Sequence, residues 1–429
     1  MTQHFLRLKW MPNDESELLA AFNDGLLEEK NWCDLKRELT RGKAANAELA
    51  RDLASFAVYG GTLIIGLDER CAGGSPLTPV DLSAVTPERI EQVAALKVDP
   101  PLTVECTVIS AQSSPGAGYV LVHVPVSPLA PHQVDGKYMG RGDKTKRNLS
   151  DAEVAALMRL RQQASDLAER SLTAFVRADP NSEQPRRAHL FLIAQPARHD
   201  AEMLRPLIED DDRCTKVLVM LREILLRQEI QALRPPGYTE FRLDPQLLGD
   251  CTSTADGFKL APGELSAEPD KVERWAASLE IREDGGLRYY DACVSSPTEW
   301  QGSQRAAALF LAQILTTCRQ FLALVAELSD SYGFAGTWQV GTALTNLYGM
   351  QAAPMQGLTP SFSPATCTGR NHTQITGAAV RELHEHPGRV TDRLLGRLCR
   401  SLRVFTPDAF IDRSSASAAS ANQNSVSAS

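Results

Sequence analysis

The segment Thr62-Leu63-Ile64-Ile65-Gly66-Leu67 constrains the fold more than any other. It is a continuous apolar run without polar alternation. A strand with one face in water alternates, and one that does not is covered on both faces. The run follows Gly60-Gly61, which reads as the end of a helix because glycine accepts a left-handed backbone. That helix is 46–58, with Leu49, Leu53, Phe56 and Ala57 as its apolar stripe and Asn46 as its cap. A helix feeding directly into a doubly covered strand is the signature of layered α/β structure.

The flanking chain extends this unit. Residues 13–28 carry Leu18, Leu19, Phe22, Leu26 and Leu27 at helical spacing, with Asp14 or Ser16 as cap. A short strand is expected within 28–38, where charges alternate with apolar residues. A polar helix over 86–97 and strands over 102–109 and 119–126 follow, the strands being separated by the turn-forming SSPGAG. Residues 127–150 are rich in glycine and base and read as a loop or hairpin. Ser150 or Asp151 then caps a helix. We expect an N-terminal α/β domain over 1–163 and a second, helix-rich α+β domain over 164–412. That second domain would hold helices at 164–177, 214–233 and 303–330 and strands at 188–195, 278–283 and 287–294. Residues 413–429 form a Ser/Ala/Asn tail unable to bury a core.

Bulk properties narrow the function classes. The chain has 429 residues, 43% hydrophobic and 23% charged, with a formal net charge of -8. An acidic whole argues against a general DNA-coating protein, so basic patches must be sought locally. Nine cysteines are dispersed without a C-x-x-C pair, which reads as reduced thiols in the cytoplasm and not as a zinc site. The N-terminus lacks a signal-peptide pattern, and the apolar stretch near 306–326 is interrupted by polar residues, so no membrane partner is expected. No phosphate-binding loop, dinucleotide fingerprint or nucleophile elbow occurs, and no nucleotide cofactor is expected. His384 and His386 stand two residues apart, a spacing that does not share a helix face.

Two constellations remain. Glu29, Asp34 and Asp68 lie at or near the ends of two strands. Neighbouring strands could bring the three together, where carboxylates can hold a divalent cation or position a water for phosphodiester cleavage. By spacing alone they equally read as solvated strand-end acids. Lys137, Arg141, Lys144, Lys146 and Arg147 crowd one loop with Asp143 as the sole acid among them, and His132 and Tyr138 interleave; Lys36 and Arg37 could lie near. Such a patch suits phosphates, with Tyr138 as a stacking surface.

The ordered set of short elements across about residues 20–160 resembles the Schlafen-type, AlbA-like domain. The matching elements are Glu29-x4-Asp34-Leu35-Lys36, Ser55-Phe56-Ala57-Val58, Gly60 to Asp68, Pro100-Pro101, Pro131-His132, and Gly136-Lys137-Tyr138 with Arg141, Gly142 and Thr145. The resemblance implies nucleic-acid binding. In the nucleolytic members it implies an endoribonuclease acting on tRNA or other structured RNA, with Mg²⁺ or Mn²⁺ held by the acids that match Glu29, Asp34 and Asp68. Here Asp34 replaces a glutamate and is one methylene shorter, and Leu35 replaces an aromatic residue. Many bacterial members are described only as DNA-binding or regulatory proteins, so a non-catalytic regulator or a defence-associated sensor is the alternative. One copy of the domain is visible where the eukaryotic nucleases pair two lobes, so cleavage of folded RNA would call for a homodimer.

Overall fold

The computed structural model describes residues 12–27, 32–69, 75–112, 114–127, 129–183, 186–197, 203–233, 242–262, 276–297, 299–301, 304–334, 336–353 and 365–404. The fold is mixed α/β. The chain divides between Ala164 and Ser165 into two compact units, with the short stretch 333–337 counted in the first.

The first unit runs α1 (Glu15–Asn23), β1 (Cys33–Lys36), α2 (Lys43–Phe56), β2 (Gly61–Ile65), β3 (Val80–Asp81), α3 (Pro87–Lys97), β4 (Glu105–Ser110), β5 (Ala117–Val124), β6 (Gln133–Val134), β7 (Lys137–Arg141) and β8 (Lys146–Asn148). A five-stranded sheet is ordered β1-β2-β5-β3 with β4 on β5, and β6-β7-β8 form a separate three-stranded meander. β1 and β2 are parallel, in register Cys33↔Thr62 to Lys36↔Ile65. Every residue of β2 is buried, as its unbroken apolar run requires. Leu63 and Ile65 pack with α2 and α3, while Ile64 packs on the other face with Leu18 and Ala21 of α1. The unit is therefore helix, sheet, helix.

Local chemistry fixes the element ends. Asp14 caps α1, accepting from the amides of Ser16 and Glu17. Thr86 caps α3, with Pro87 at its first position. Asn46, expected to cap α2, instead lies inside that helix, which starts at Lys43; its amide oxygen accepts from Arg89 at 2.8 Å. The segment over 127–150, expected as a loop or hairpin, contains the meander. A helix α4 (Asp151–Arg177) follows it, one element of 27 residues where the sequence suggested two. Its start is a capping box: Ser150 Oγ accepts from the Glu153 amide, and Glu153 Oε2 accepts from the Ser150 amide.

At the end of β2 the alternation resets. The amides of Gly66 and Leu67 both donate to Lys36 O, at 2.7 and 3.3 Å, a bulge that returns Leu67 to the α1 face beside Ile64. Gly66 has φ 105°, and a Cβ there would lie 2.8 Å from the Tyr119 ring.

The second unit comprises β9 (His189–Pro196), α5 (Arg205–Ile208), α6 (Arg213–Leu226), α7 (Gln228–Gln231), β10 (Asp250–Thr254), β11 (Gly257–Ala261), β12 (Ala277–Arg282), β13 (Leu287–Asp291), β14 (Glu299–Gln301), β15 (Gln304–Ala306), β16 (Ala308–Leu309), α8 (Leu311–Ser331), β17 (Thr337–Thr345), β18 (Gln351–Ala352), β19 (His372–Ala379), α9 (Val380–Glu385) and α10 (Pro387–Ser401). Its seven-stranded sheet has the order β10-β11-β12-β13-β9-β17-β19. Phe191 and Ile193 of β9 pack with Ala168 and Leu172 of α4. α8 is long and apolar enough to cross a membrane, but 78% of its most apolar window is buried, and it serves as the core helix of the unit. The dispersed cysteines were expected to be reduced, yet Cys214 of α6 and Cys251 of β10 form a disulfide with Cα atoms 6.3 Å apart. The pairing joins a helix to a distant sheet strand, which sequence spacing does not encode.

Replacing Gly66 by alanine must place a side chain at positive φ against Tyr119. We expect Gly66→Ala to lower unfolding free energy by about 1–3 kcal/mol in urea titration, with no change in far-ultraviolet circular dichroism at low denaturant.

Candidate nucleic-acid interface

β1 is an edge strand, and its residues alternate across the sheet. Cys33 and Leu35 point to the α1 side and are buried with that core. Asp34 and Lys36 therefore fall on the α2 side, where the sheet edge has charge instead of apolar cover. The meander packs on α2 at this point and completes the site.

The centre is Asp52 of α2, whose side chain is 3% exposed. Lys36 Nζ lies 2.9 Å from one of its carboxylate oxygens and Lys146 Nζ 2.5 Å from the other. Lys146 also pairs with Glu48, one turn earlier on α2, and Arg51 bridges Glu48 at 2.9 Å and Asp135 at 3.4 Å. A second pair lies beside the first. Arg141 of β7, with its side chain 2% exposed, approaches Asp34 Oδ1 at 3.2 Å and donates to Cys33 O at 3.3 Å. Its guanidinium stacks 4.3 Å above the Phe56 ring. Lys36 joins the two pairs, since its Nζ is also 3.7 Å from Asp34. Burial opposes the charge on Lys36, but Asp52, Asp34 and Glu48 outweigh it and its pKa lies above the usual lysine value. The Lys146 hydrogen bond holds Glu48 below the usual carboxylate range.

The sequence-derived candidates thus divide. Lys36, Arg141 and Lys146 converge, but inward, as counter-ions to Asp34, Asp52 and Glu48. Arg147 chelates Glu153 at 2.5 and 2.8 Å. His132 was expected at the nucleic-acid surface; it is fully buried, with Nδ1 2.7 Å from Pro100 O and Nε2 2.7 Å from Ser127 Oγ. Both ring nitrogens are engaged and burial pushes its pKa down, so it fastens the loop before β6. Lys137 and Lys144 are exposed, and Tyr138 is half-buried. Neither lysine has an ion-pair partner among the described residues. Arg37, with its side chain 73% exposed, lies 3.8 Å from Asp68.

Of the acid set, Glu29 lies outside the described residues. Asp34 and Asp68 sit beside cations, Asp34 with Arg141 and Lys36 and Asp68 with Arg37. Among the described residues no group of three or more His, Cys, Asp or Glu is placed to hold a metal ion. His384 instead lies 3.0 Å from Asp330, and His386 precedes the first turn of α10.

Sequence reasoning missed Asp52 and Glu48. A signal was present for Asp52, which stands three residues after Leu49 and four before Phe56, within the apolar stripe of α2. An acid on a buried helix face requires a cation from elsewhere in the chain.

No protein-family model matches the chain, and no curated protein matches it. Among solved structures it has a likeness to the DIP2311 protein from Corynebacterium diphtheriae, at 14% identity over 64% of this chain and 69% of that one. The TM-score is 0.24, too loose an overlap to carry a statement about fold or function.

Removing Asp52 would strand two lysines at a buried edge. We expect Asp52→Ala to cost about 3 kcal/mol, the lower end for a broken buried pair because both lysines are partly hydrated. Adding Lys36→Met and Lys146→Met should recover much of that loss, as read by urea unfolding. The pH dependence has a definite sign. Glu48 has a depressed folded pKa, so its contribution is present above its unfolded pKa of about 4.3 and is lost as pH falls through the folded value. Glu48→Gln should flatten the acid limb of the stability–pH curve by lowering the neutral plateau, with the two proteins converging at low pH where Glu48 is protonated.

Proposed function

We propose that the first unit is a nucleic-acid-binding module that receives the phosphate backbone on the outer face of the meander. The observation that carries this reading is the division of labour among its bases. Arg141 and Lys146 anchor the meander to β1 and α2 while Lys36 ties β1 to α2, which leaves Lys137 at the start of β7 and Lys144 in the turn after it exposed to solvent on a fixed frame. Two exposed lysines without ion-pair partners among the described residues, on a strand and the turn after it, suit a phosphate backbone, and the half-buried Tyr138 of the same strand suits an unstacked base. The resemblance of residues 20–160 to the Schlafen-type, AlbA-like domain supports the same reading, with RNA or DNA as partner in the cytoplasm.

Binding is favoured over cleavage. A divalent cation at Glu29, Asp34 and Asp68 would compete with Arg141 and Lys36 for Asp34 and with Arg37 for Asp68. The pairing of Asp34 and Asp68 with nearby cations supports binding over cleavage.

Fluorescence anisotropy with a labelled RNA hairpin and a labelled DNA duplex tests the reading. Lys137→Gln/Lys144→Gln should weaken binding and reduce the slope of log K against log salt by about 1.4 on single-stranded segments or about 1.8 on duplex. Unchanged affinity and slope in that variant would remove the meander from the interface. Incubation with tRNA and Mn²⁺ should yield no cleavage; metal-dependent cleavage abolished by Asp34→Ala/Asp68→Ala would instead establish the nuclease reading.

A further inference from the structure

The second unit carries a cationic surface of its own. Between Pro387 and Arg403 the sequence holds five arginines, Arg389, Arg393, Arg397, Arg400 and Arg403, against one acid, Asp392. The buried side of α10 is supplied by Val390, Thr391, Leu394, Leu395, Leu398 and Cys399. Arg389, Arg393, Arg397 and Arg400 are all exposed. At 3.6 residues per turn they fall within about 80° of arc, one stripe along the helix. The four-residue steps from Arg389 to Arg393 to Arg397 repeat every ~6 Å along the axis.

The stripe is held unevenly. Arg393 is fixed, donating to both Glu382 oxygens at 2.6 and 2.8 Å, to Thr376 Oγ1 at 2.9 Å and to Gly377 O at 3.1 Å. Arg400 lies 3.3 Å from Asp392. Arg389, Arg397 and Arg403 have no ion-pair partner among the described residues. Two uncompensated guanidinium groups on one side of a helix, with a third just past its end, are unusual in a chain whose formal net charge is -8. Self-association through acidic surfaces would be easier with mixed charge, and a protein interface draws its affinity from buried aromatic or aliphatic anchors. The exposed arc offers none. It offers planar forks matched to phosphate oxygens, repeated along a line.

We propose that α10 is a second nucleic-acid contact, in which Arg389 and Arg397, about 12 Å apart along the axis, and Arg403 just past the helix end each take a phosphate of a strand lying along the helix. The inference stands on the second unit alone and does not depend on the meander being an interface.

The test uses the full-length protein with the same labelled RNA hairpin and DNA duplex. Arg389→Gln/Arg397→Gln should weaken binding by about an order of magnitude and lower the salt slope by about 1.4 to 1.8. Arg389→Lys/Arg397→Lys keeps the charge and should retain the slope. Thermal unfolding should be the same in all three proteins, because neither arginine makes a pair within the fold. Wild-type affinity and slope in the glutamine variant would overturn the proposal. So would loss of binding to labelled polyglutamate with nucleic-acid binding intact, which would assign the stripe to an acidic protein. Parallel measurement of Lys137→Gln/Lys144→Gln separates the two surfaces: loss only there leaves the meander reading standing and removes the stripe, and loss only in the arginine variant does the reverse.

Discussion

The first unit depends on one buried carboxylate. Asp52 points from α2 into the angle between sheet and meander, and two lysines meet it, Lys36 from β1 and Lys146 from β8. Each partner belongs to a different layer. The meander has three short strands and little apolar area, and Arg141 on Phe56 and Lys146 on Asp52 attach it where a hydrophobic face would be too small. Buried ion pairs contribute less to net stability than their geometry suggests, because desolvation offsets attraction. Their value here is positional: charges with defined partners set the register of β7 and β8 against α2 in a way that interchangeable apolar contacts would not.

That arrangement alters the meaning of a basic loop. Counted along the sequence, residues 137–147 hold five cations and invite the view that all five face a ligand. In space, Arg141 and Lys146 turn inward, Arg147 turns to α4, and Lys137 and Lys144 are left outward. Three of the five cations are scaffold. The same holds for the acids, since Asp34 is the counter-ion of a buried arginine before it is anything else.

Much of the fold was legible in the sequence because it follows local rules. The unbroken run at 62–67 gave a fully buried strand, the stripe Leu49, Leu53, Phe56 gave α2, and Asp14 capped α1 as its side chain allows. The site was less legible because its partners are far apart: Lys146 lies 94 residues from Asp52, and Arg141 lies 108 residues from the Cys33 carbonyl that it meets. Periodicity does not report such pairings. The meander was obscured by glycine and base. α10 is hard to read from sequence because its start is marked only by Pro387, whose fixed φ begins the helix directly after the His384–His386 pair.

The capping box at the start of α4 has a consequence for how the meander answers to its surroundings. Glu153 serves two masters: it accepts from the Ser150 amide at the helix start and from the Arg147 guanidinium of β8. An anion drawing Arg147 away would leave Glu153 held by the Ser150 amide and hydroxyl alone, with its carboxylate less firmly fixed. Through Glu153 the β8 end of the meander and the first turn of α4 share one acceptor, so a change at Arg147 reaches the backbone at Asp151 and the residues that follow it.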